Sequence, residues 1–340
     1  MYRFFEIFRH DNSLESPGEE LPWQYPYGLL EKIWLGLWAL VAMAGLVFFN
    51  RMVDAHEVLW VSAAMIALVL AVPQLTVRIG QNAVYFGRIA LSIISSWAAY
   101  QRSAQFIESF RTTSYEAEMM LADEFLFGGN PSEWTEALIN PVLTEYLQLT
   151  YMAYFPMMLL VGLGLLAREK QRSFYVYLLA MNLAFISCHV FYFLVPVRSP
   201  FLIADSAQWG ALISYSAPLE GLWFTEGMRQ RLLDATSMRY DCFPSGHTMH
   251  SILVIYFGWR THRAVRAILV VIGASIIFST IYLRYHYAID LVAGGGFAVL
   301  WIWVSHKLAE MSWATDPKAQ PAIGQRVLSV LQQWPDNRSD

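Results

Sequence analysis

Two short polar stretches interrupt the apolar segments of this 340-residue chain, and both contain histidine. The first is "FPSGHTMHS" at residues 243–251, and the second is "YLRYHYAID" at residues 282–290. Histidine titrates near neutral pH and serves as a nucleophile or as a general acid. The two stretches therefore indicate acid–base or covalent chemistry at the ends of apolar segments.

The first stretch has the features of a helix start that binds an anion. Ser245 is a predicted N-cap, and Gly246 allows a ligand to approach the backbone. The free N–H groups and the positive dipole end of such a helix attract phosphate. His247 lies in the first turn, where a protonated imidazole can donate its proton to a leaving oxygen.

The second stretch supplies a nucleophile with its orienting acid. His286 and Asp290 are four residues apart, a spacing that places both on one face of a helix. The carboxylate can hold one imidazole nitrogen protonated and leave the other free to attack. Arg198 and Arg284 offer forked donors that match phosphoryl oxygens. This set predicts phosphoryl transfer through a phosphohistidine on His286, with His247 protonating the departing alcohol.

The remaining histidines are candidates for supporting groups and for ligands of a metal ion. His250 is predicted to be a packing or supporting group, and His189 an interior histidine. Two or three histidines with Asp290 could instead bind zinc. The flanking arginines would repel a cation, and the chain has neither an HExxH motif nor paired cysteines. The sequence therefore favours a phosphate site and predicts no metal and no cofactor.

The composition indicates a membrane protein. The chain is 56% hydrophobic and 15% charged, and its net charge of −4 without long charged runs does not suggest nucleic-acid binding. We predict an all-α polytopic bundle of about eight transmembrane helices. The segments long and apolar enough to cross the bilayer are 29–49, 57–74, 83–100, 143–166, 173–195, 246–260, 264–283 and 286–306.

The basic loops predict the orientation. "AREKQR" at 167–172 and "RTHRAVR" at 260–266 should be cytoplasmic. Both termini are then cytoplasmic, and both histidine stretches and Arg198 converge on the extracytoplasmic face. The simpler alternative is that these are ordinary interfacial loops. Residues 123–141 mix acidic and apolar side chains, and one expectation is an interfacial or re-entrant helix that covers the cleft.

The motifs resemble the type 2 phosphatidic acid phosphatase superfamily, whose pattern is KxxxxxxRP, PSGH and SRxxxxxHxxxD. "PSGH" at 244–247 matches fully, and His286 with Asp290 matches HxxxD. Three positions depart from the pattern: Phe191 replaces the lysine, Ser199 separates Arg198 from the proline, and Thr280 follows Ser279 where an arginine is expected.

The form "YLRYHYAIDLVAGG" is most similar to the inositol phosphorylceramide synthase (inositolphosphotransferase) branch, with weaker similarity at "FGGNPSEW". The resemblance implies a six-helix catalytic core at 83–308. Residues 1–82 would form a cytoplasmic tail and two additional spans, and 309–340 a cytoplasmic tail. The resemblance also implies roles for individual residues. His286 would be the nucleophile, Asp290 its orienting acid and His247 the acid/base, and the phosphate cradle would consist of Arg198, Ser245 and Gly246. Arg284 is assigned to phosphate binding from its position beside His286, Ser279 is the matching serine of the third motif, and His250 and His189 are candidate supporting groups from their positions in the sequence.

The implied activity is transfer of a phosphorylated headgroup from a membrane lipid donor to an alcohol acceptor. The missing lysine leaves fewer cations, which favours a singly charged phosphodiester over a monoester with close to two charges. The first alternative is a lipid phosphate phosphatase acting on phosphatidic acid or polyprenyl phosphate, with water as acceptor. A second is a transporter or scaffold that only binds lipid headgroups.

Overall fold

The computed structural model describes residues 28–167, 171–204, 213, 215–235, 239–259 and 261–314. These ranges contain thirteen α-helices and no strand, which confirms the predicted all-α class. The helices are α1 Leu29–Val47, α2 Ala55–Ile79, α3 Gln81–Phe110, α4 Glu116–Phe127, α5 Pro131–Trp134, α6 Pro141–Met152, α7 Tyr154–Ala167, α8 Gln171–Leu194, α9 Pro200–Ile203, α10 Thr225–Ala235, α11 Gly246–Gly258, α12 Arg263–Tyr282 and α13 Ala288–Ala314. The outer parts of both predicted tails and parts of the two basic loops lie outside the described residues.

Each of the eight predicted segments coincides with helix, but not every helix has the length and composition of a complete span. Helices α1, α2, α8, α12 and α13 do, and the pair α6 and α7 forms a sixth candidate, bent by 49°. Helix α3 has 30 residues but carries polar side chains such as Arg88 and Arg102. Helix α11 has only 13 residues, which is short of the roughly 20 needed to cross the bilayer.

Helix α8 is the centre of the bundle. Of its apolar stretch, 67% is buried, compared with 22–28% for the other complete spans. It packs against α3, α7, α11 and α13, while α1 and α2 pack on each other and α2 packs on α3. Helix α8 is therefore enclosed mainly by protein, whereas the other complete spans have larger apolar surfaces that are free to contact lipid.

The segment between α3 and α6 is not one interfacial helix over 123–141. Helix α4 ends at Phe127 and is followed by Gly128, whose φ of 77° is the left-handed conformation that glycine adopts without strain. Asn130 then caps α5, with its side-chain oxygen accepting a hydrogen bond from the Ser132 N–H. A 3₁₀ turn at Thr135–Leu138 follows. The expected single helix is therefore wrong, because a glycine stop and a new N-cap divide the segment.

Candidate active site

The start of α11 has the predicted cap. The Ser245 side chain accepts a hydrogen bond from the Thr248 N–H at 3.2 Å, and the Ser245 N–H donates to the Asp290 carbonyl at 3.0 Å. Helix α13 crosses closely here because Gly294 has no side chain: a Cβ would lie 2.6 Å from the Ser245 carbonyl oxygen. A Cβ at Gly246 would lie 3.4 Å from the side chains of Cys188 and Tyr192. Both glycines thus lie at contacts between helices of the core.

His286 and Asp290 form a buried pair. The His286 Nδ1 atom lies 3.2 Å from the Asp290 Oδ2 atom, and the side chains are 4% and 0% exposed. Asp290 Oδ2 also accepts the Tyr287 N–H at 2.9 Å. His286 lies in the turn before α13, so the prediction that one helical face carries both residues is wrong. The turn brings the two side chains together because it leads directly into the first turn of α13.

Cys242 belongs to the same cluster, although its sequence position gave no functional signal. Its Sγ atom lies 3.0 Å from Asp290 Oδ2 and 3.5 Å from His286 Nδ1. Burial, followed by the nearby Asp290 charge, raises the pKa of the Cys242 thiol well above its usual value. As a thiol it donates to the carboxylate. The donor atoms of these three residues also lie within 4.8 Å of one another, close enough to bind one metal ion, so this is where the zinc alternative would apply.

His247 is enclosed by two tyrosine rings. Its centroid is 4.2 Å from that of Tyr151 and 4.2 Å from that of Tyr154. These tyrosines lie on either side of the bend between α6 and α7, which turns both towards α11. The His247 and His286 ring centroids are 6.1 Å apart. Two imidazoles so placed can act on one phosphoryl group, one as nucleophile and the other as acid.

The predicted supporting residues have local contacts. His250 is fully buried, with Nδ1 2.7 Å from the Gly246 carbonyl and 2.8 Å from the Tyr154 hydroxyl. Ser279 donates to the Ile276 carbonyl of its own helix at 2.7 Å. His189 lies near the Tyr100 and Tyr192 rings, with centroids 6.3 and 6.2 Å away. Of the three residues, His250 is the one connected to the helix start that carries His247.

Both candidate phosphate-binding arginines are ion-paired. Arg198 Nε lies 2.7 Å from Glu116 Oε1, and Arg284 Nη2 lies 2.9 Å from Glu136 Oε1. Arg284 also donates to the Ala217 carbonyl at 2.6 Å. These glutamates were missed by sequence reasoning. Their signal in the sequence was the presence of acidic residues within a segment that is otherwise rich in apolar side chains.

Two further acids contact the site from outside the predicted set. Asp123 accepts the Ala288 and Ile289 N–H groups at 2.9 and 2.7 Å and so caps the start of α13. Asp241, next to Cys242, accepts a hydrogen bond from the Tyr100 hydroxyl of α3 at 2.5 Å. The candidate site is therefore assembled by α3, α4, α6, α7, α11 and α13, together with the loops before α9, α11 and α13.

The chain is similar to a known protein superfamily. The PAP2 superfamily profile matches residues 118–304, more than half of the chain, and this region contains both histidine stretches and both arginines. A PA-phosphatase related-family protein from Dictyostelium discoideum is 25% identical over 171 residues, covering 46% of this chain and 31% of that relative. The chain thus matches less than a third of that relative's length. No solved structure matches the chain. The chain is a membrane protein that belongs to the PAP2 superfamily.

Proposed function

We propose that this protein is a membrane enzyme that transfers a phosphorylated headgroup from a lipid donor to an alcohol acceptor through a phosphohistidine on His286. The observation that carries the proposal is the His286–Asp290 contact at 3.2 Å, with the His247 ring centroid 6.1 Å from that of His286. Membership in the PAP2 superfamily supports an enzyme over a protein that only binds headgroups.

In the first step, Asp290 holds the His286 Nδ1 proton, which leaves Nε2 free to attack phosphorus. A nitrogen–phosphorus bond forms as the bond to the leaving oxygen breaks, and His247 donates its proton to that oxygen. In the second step His247 takes the proton of the acceptor hydroxyl. The acceptor oxygen bonds to phosphorus, and His286 is released.

The surrounding groups have defined parts in this proposal. The N–H groups at the start of α11, next to the Ser245 cap, would face the phosphoryl oxygens. Arg198 and Arg284 would bind the remaining oxygens. Tyr151 and Tyr154 hold the His247 ring in place. The bond from Tyr100 of α3 to Asp241 supports a catalytic core that begins at residue 83, before the matched region begins at 118.

Phe191, at the position of the family's lysine, favours transfer from a phosphodiester, as in an inositol phosphorylceramide synthase. The name of the Dictyostelium relative favours the second candidate, a lipid phosphate phosphatase with the same intermediate and water as acceptor. In either case, the proposed site faces the extracytoplasmic side and both termini are cytoplasmic.

The test is to incubate purified protein in detergent with phosphatidic acid and, separately, with phosphatidylinositol plus ceramide. We expect headgroup transfer to ceramide, and an acid-labile, alkali-stable phosphoryl group on the protein. His286→Asn should lose turnover by about a thousandfold or more while remaining folded. His262→Asn, at an exposed histidine before α12, is the matched control.

Free phosphate from phosphatidic acid alone would identify a phosphatase. Turnover that survives His286→Asn would contradict the phosphohistidine. Turnover that chelators abolish and zinc restores would support the metal alternative at Cys242, His286 and Asp290.

A further inference from the structure

The segment at 116–136 supplies a carboxylate to each candidate phosphate-binding arginine. Glu116, on α4, pairs with Arg198, and Glu136, in the 3₁₀ turn, pairs with Arg284. Glu116 Oε1 also accepts the backbone N–H of Arg198 at 3.2 Å. The same type of contact therefore occurs twice, from one segment to two separate loops.

The pairs are shielded from solvent. The side chains of Glu116 and Glu136 are 0% and 16% exposed, and those of Arg198 and Arg284 are 29% and 10% exposed. Charges that are removed from water in this way are screened only weakly by salt. Each glutamate therefore cancels most of the charge of its arginine at the site.

Each arginine also lies against an aromatic ring. The Arg284 guanidinium carbon is 3.7 Å from the centroid of Tyr215, and that of Arg198 is 5.9 Å from the centroid of Tyr240. The ring and the carboxylate together fix the direction of each guanidinium group. The arginines are thus held in place before a ligand binds.

Glu136 is held as a carboxylate. Burial opposes its ionisation, but hydrogen bonds from Ser216 and Ala217 and the Arg284 charge outweigh burial, so its pKa lies below the usual value. The Ser216 hydroxyl and N–H donate to it at 2.7 and 2.9 Å. Its negative charge is therefore present at neutral pH.

The loops that contain the two arginines are hydrogen-bonded through their backbones, one to the loop that precedes α11 and the other to α9. Val197, next to Arg198, accepts the Cys242 N–H at 3.2 Å. Arg284 precedes His286 by two residues, and its carbonyl accepts the Phe201 N–H at 2.8 Å. The charge balance of these loops therefore acts close to the reacting phosphorus.

We propose that Glu116 and Glu136 determine substrate charge, so that the site accepts a singly charged phosphodiester lipid and disfavours a doubly charged phosphate monoester. Two arginines neutralised by two glutamates leave little net positive charge for a second phosphate charge. This inference rests on the proposed function, because it assumes that Arg198 and Arg284 bind the donor phosphate. Phe191 in place of the family's lysine already removes one positive charge from the site. Glu116 and Glu136 in addition neutralise the positive charges of Arg198 and Arg284, which remain.

The test compares Glu116→Gln and Glu136→Gln with the native protein, using kcat/KM for dihexanoyl phosphatidic acid and for dihexanoyl phosphatidylinositol with ceramide. Glutamine keeps the shape and a hydrogen bond but removes the charge. We expect the monoester-to-diester ratio to rise about tenfold in each variant. Glu118→Gln, at an exposed residue of the same helix, should leave the ratio unchanged.

A purely structural role would lower both activities together and leave the ratio unchanged, which would overturn the inference. A separate readout uses calorimetric binding of the same two lipids in a His286→Asn background. If the native protein turns over neither lipid, the proposed function fails, but the binding ratio still decides the inference. A shift towards phosphatidic acid in the glutamine variants supports it, and an unchanged binding ratio contradicts it.

Discussion

The histidine–aspartate pair has Cys242 as a third buried partner. Asp290 Oδ2 accepts from both the Cys242 thiol and the Tyr287 N–H, in addition to its contact with His286. A buried carboxylate is stable only when such donors surround it. Cys242 therefore contributes to the orientation of Asp290 and, through it, of His286.

Cys242→Ala should lower kcat about ten- to a hundredfold, because a hydrogen bond to a charged group contributes roughly 1.5–3 kcal/mol and about 1.4 kcal/mol is a factor of ten in rate. Cys242→Ser keeps a donor and should retain most of the activity. The measurement is steady-state turnover together with the zinc content of each purified protein. Equal activity of the native protein and the alanine variant would show that Cys242 does not help to orient Asp290 and His286. Loss of both activity and bound zinc in the two variants would favour the metal alternative.

At the scale of elements, the Asp123 side chain of α4 connects this helix to the start of α13 by hydrogen bonds. Asp123 is 1% exposed, and its two oxygens accept the Ala288 and Ile289 N–H groups. A carboxylate at a helix start satisfies free N–H groups and interacts favourably with the helix dipole. Asp123 thus fixes the helix that carries Asp290.

Asp123 also predicts a pH dependence of stability. Burial, together with the nearby Asp290 charge, raises its pKa to about 6, although the hydrogen bonds from Ala288 and Ile289 act in the opposite direction. A carboxyl group whose folded-state pKa exceeds its unfolded value stabilises the fold when protonated. That contribution is present at low pH and is lost as pH rises from about 4 through about 6.

The measurement is the Tm in detergent between about pH 4.5 and pH 7 for native protein and Asp123→Asn. We expect the native Tm to fall relative to that of the variant as pH rises. Glu124→Gln, at the exposed neighbouring residue, should follow the native protein. A constant difference between native protein and Asp123→Asn would show that Asp123 does not titrate in this range.

At the scale of the whole molecule, polar contacts attach the two N-terminal helices to the bundle. Glu31 of α1 pairs with Arg88 of α3 at 2.7 Å, with side chains 1% and 7% exposed. The Trp34 indole N–H donates to Asn182 of α8 at 2.9 Å. Glu57 of α2 pairs with Arg102 of α3 at 2.8 Å. These contacts fix α1 and α2 to α3, which contributes to the site, and α1 also to α8 at the centre of the bundle.

Glu31→Ala should destabilise the fold by about 3–5 kcal/mol, because removal of one partner leaves the Arg88 charge buried. The double variant Glu31→Leu with Arg88→Leu should recover much of this loss. Lys307→Ala, which breaks an exposed pair with Glu310, should cost less than about 1 kcal/mol. Chemical denaturation in detergent measures all three, and a double variant no more stable than Glu31→Ala would contradict the explanation.

The amino-acid sequence by itself determined the properties that depend on composition and on neighbouring residues. The apolar composition indicated an all-α membrane bundle, and this is what the described residues form. The Ser245 cap and the His286–Asp290 contact also join near neighbours in the chain, at separations of three and four positions, although a turn and not the predicted shared helical face brings His286 to Asp290. The PSGH and HxxxD motifs were enough to predict the superfamily, which the profile match confirms.

Only the tertiary structure decided which distant groups surround those motifs. The bond from Arg284 to Glu136 joins residues 148 positions apart, and that from Ala288 to Asp123 joins residues 165 positions apart. The bend between α6 and α7 likewise determines that Tyr151 and Tyr154 enclose His247. Local spacing cannot predict such contacts, because they depend on how the helices pack and where the loops between them fold. The candidate reactive residues can therefore be predicted from the sequence, whereas the charge and shape of their surroundings come from the fold.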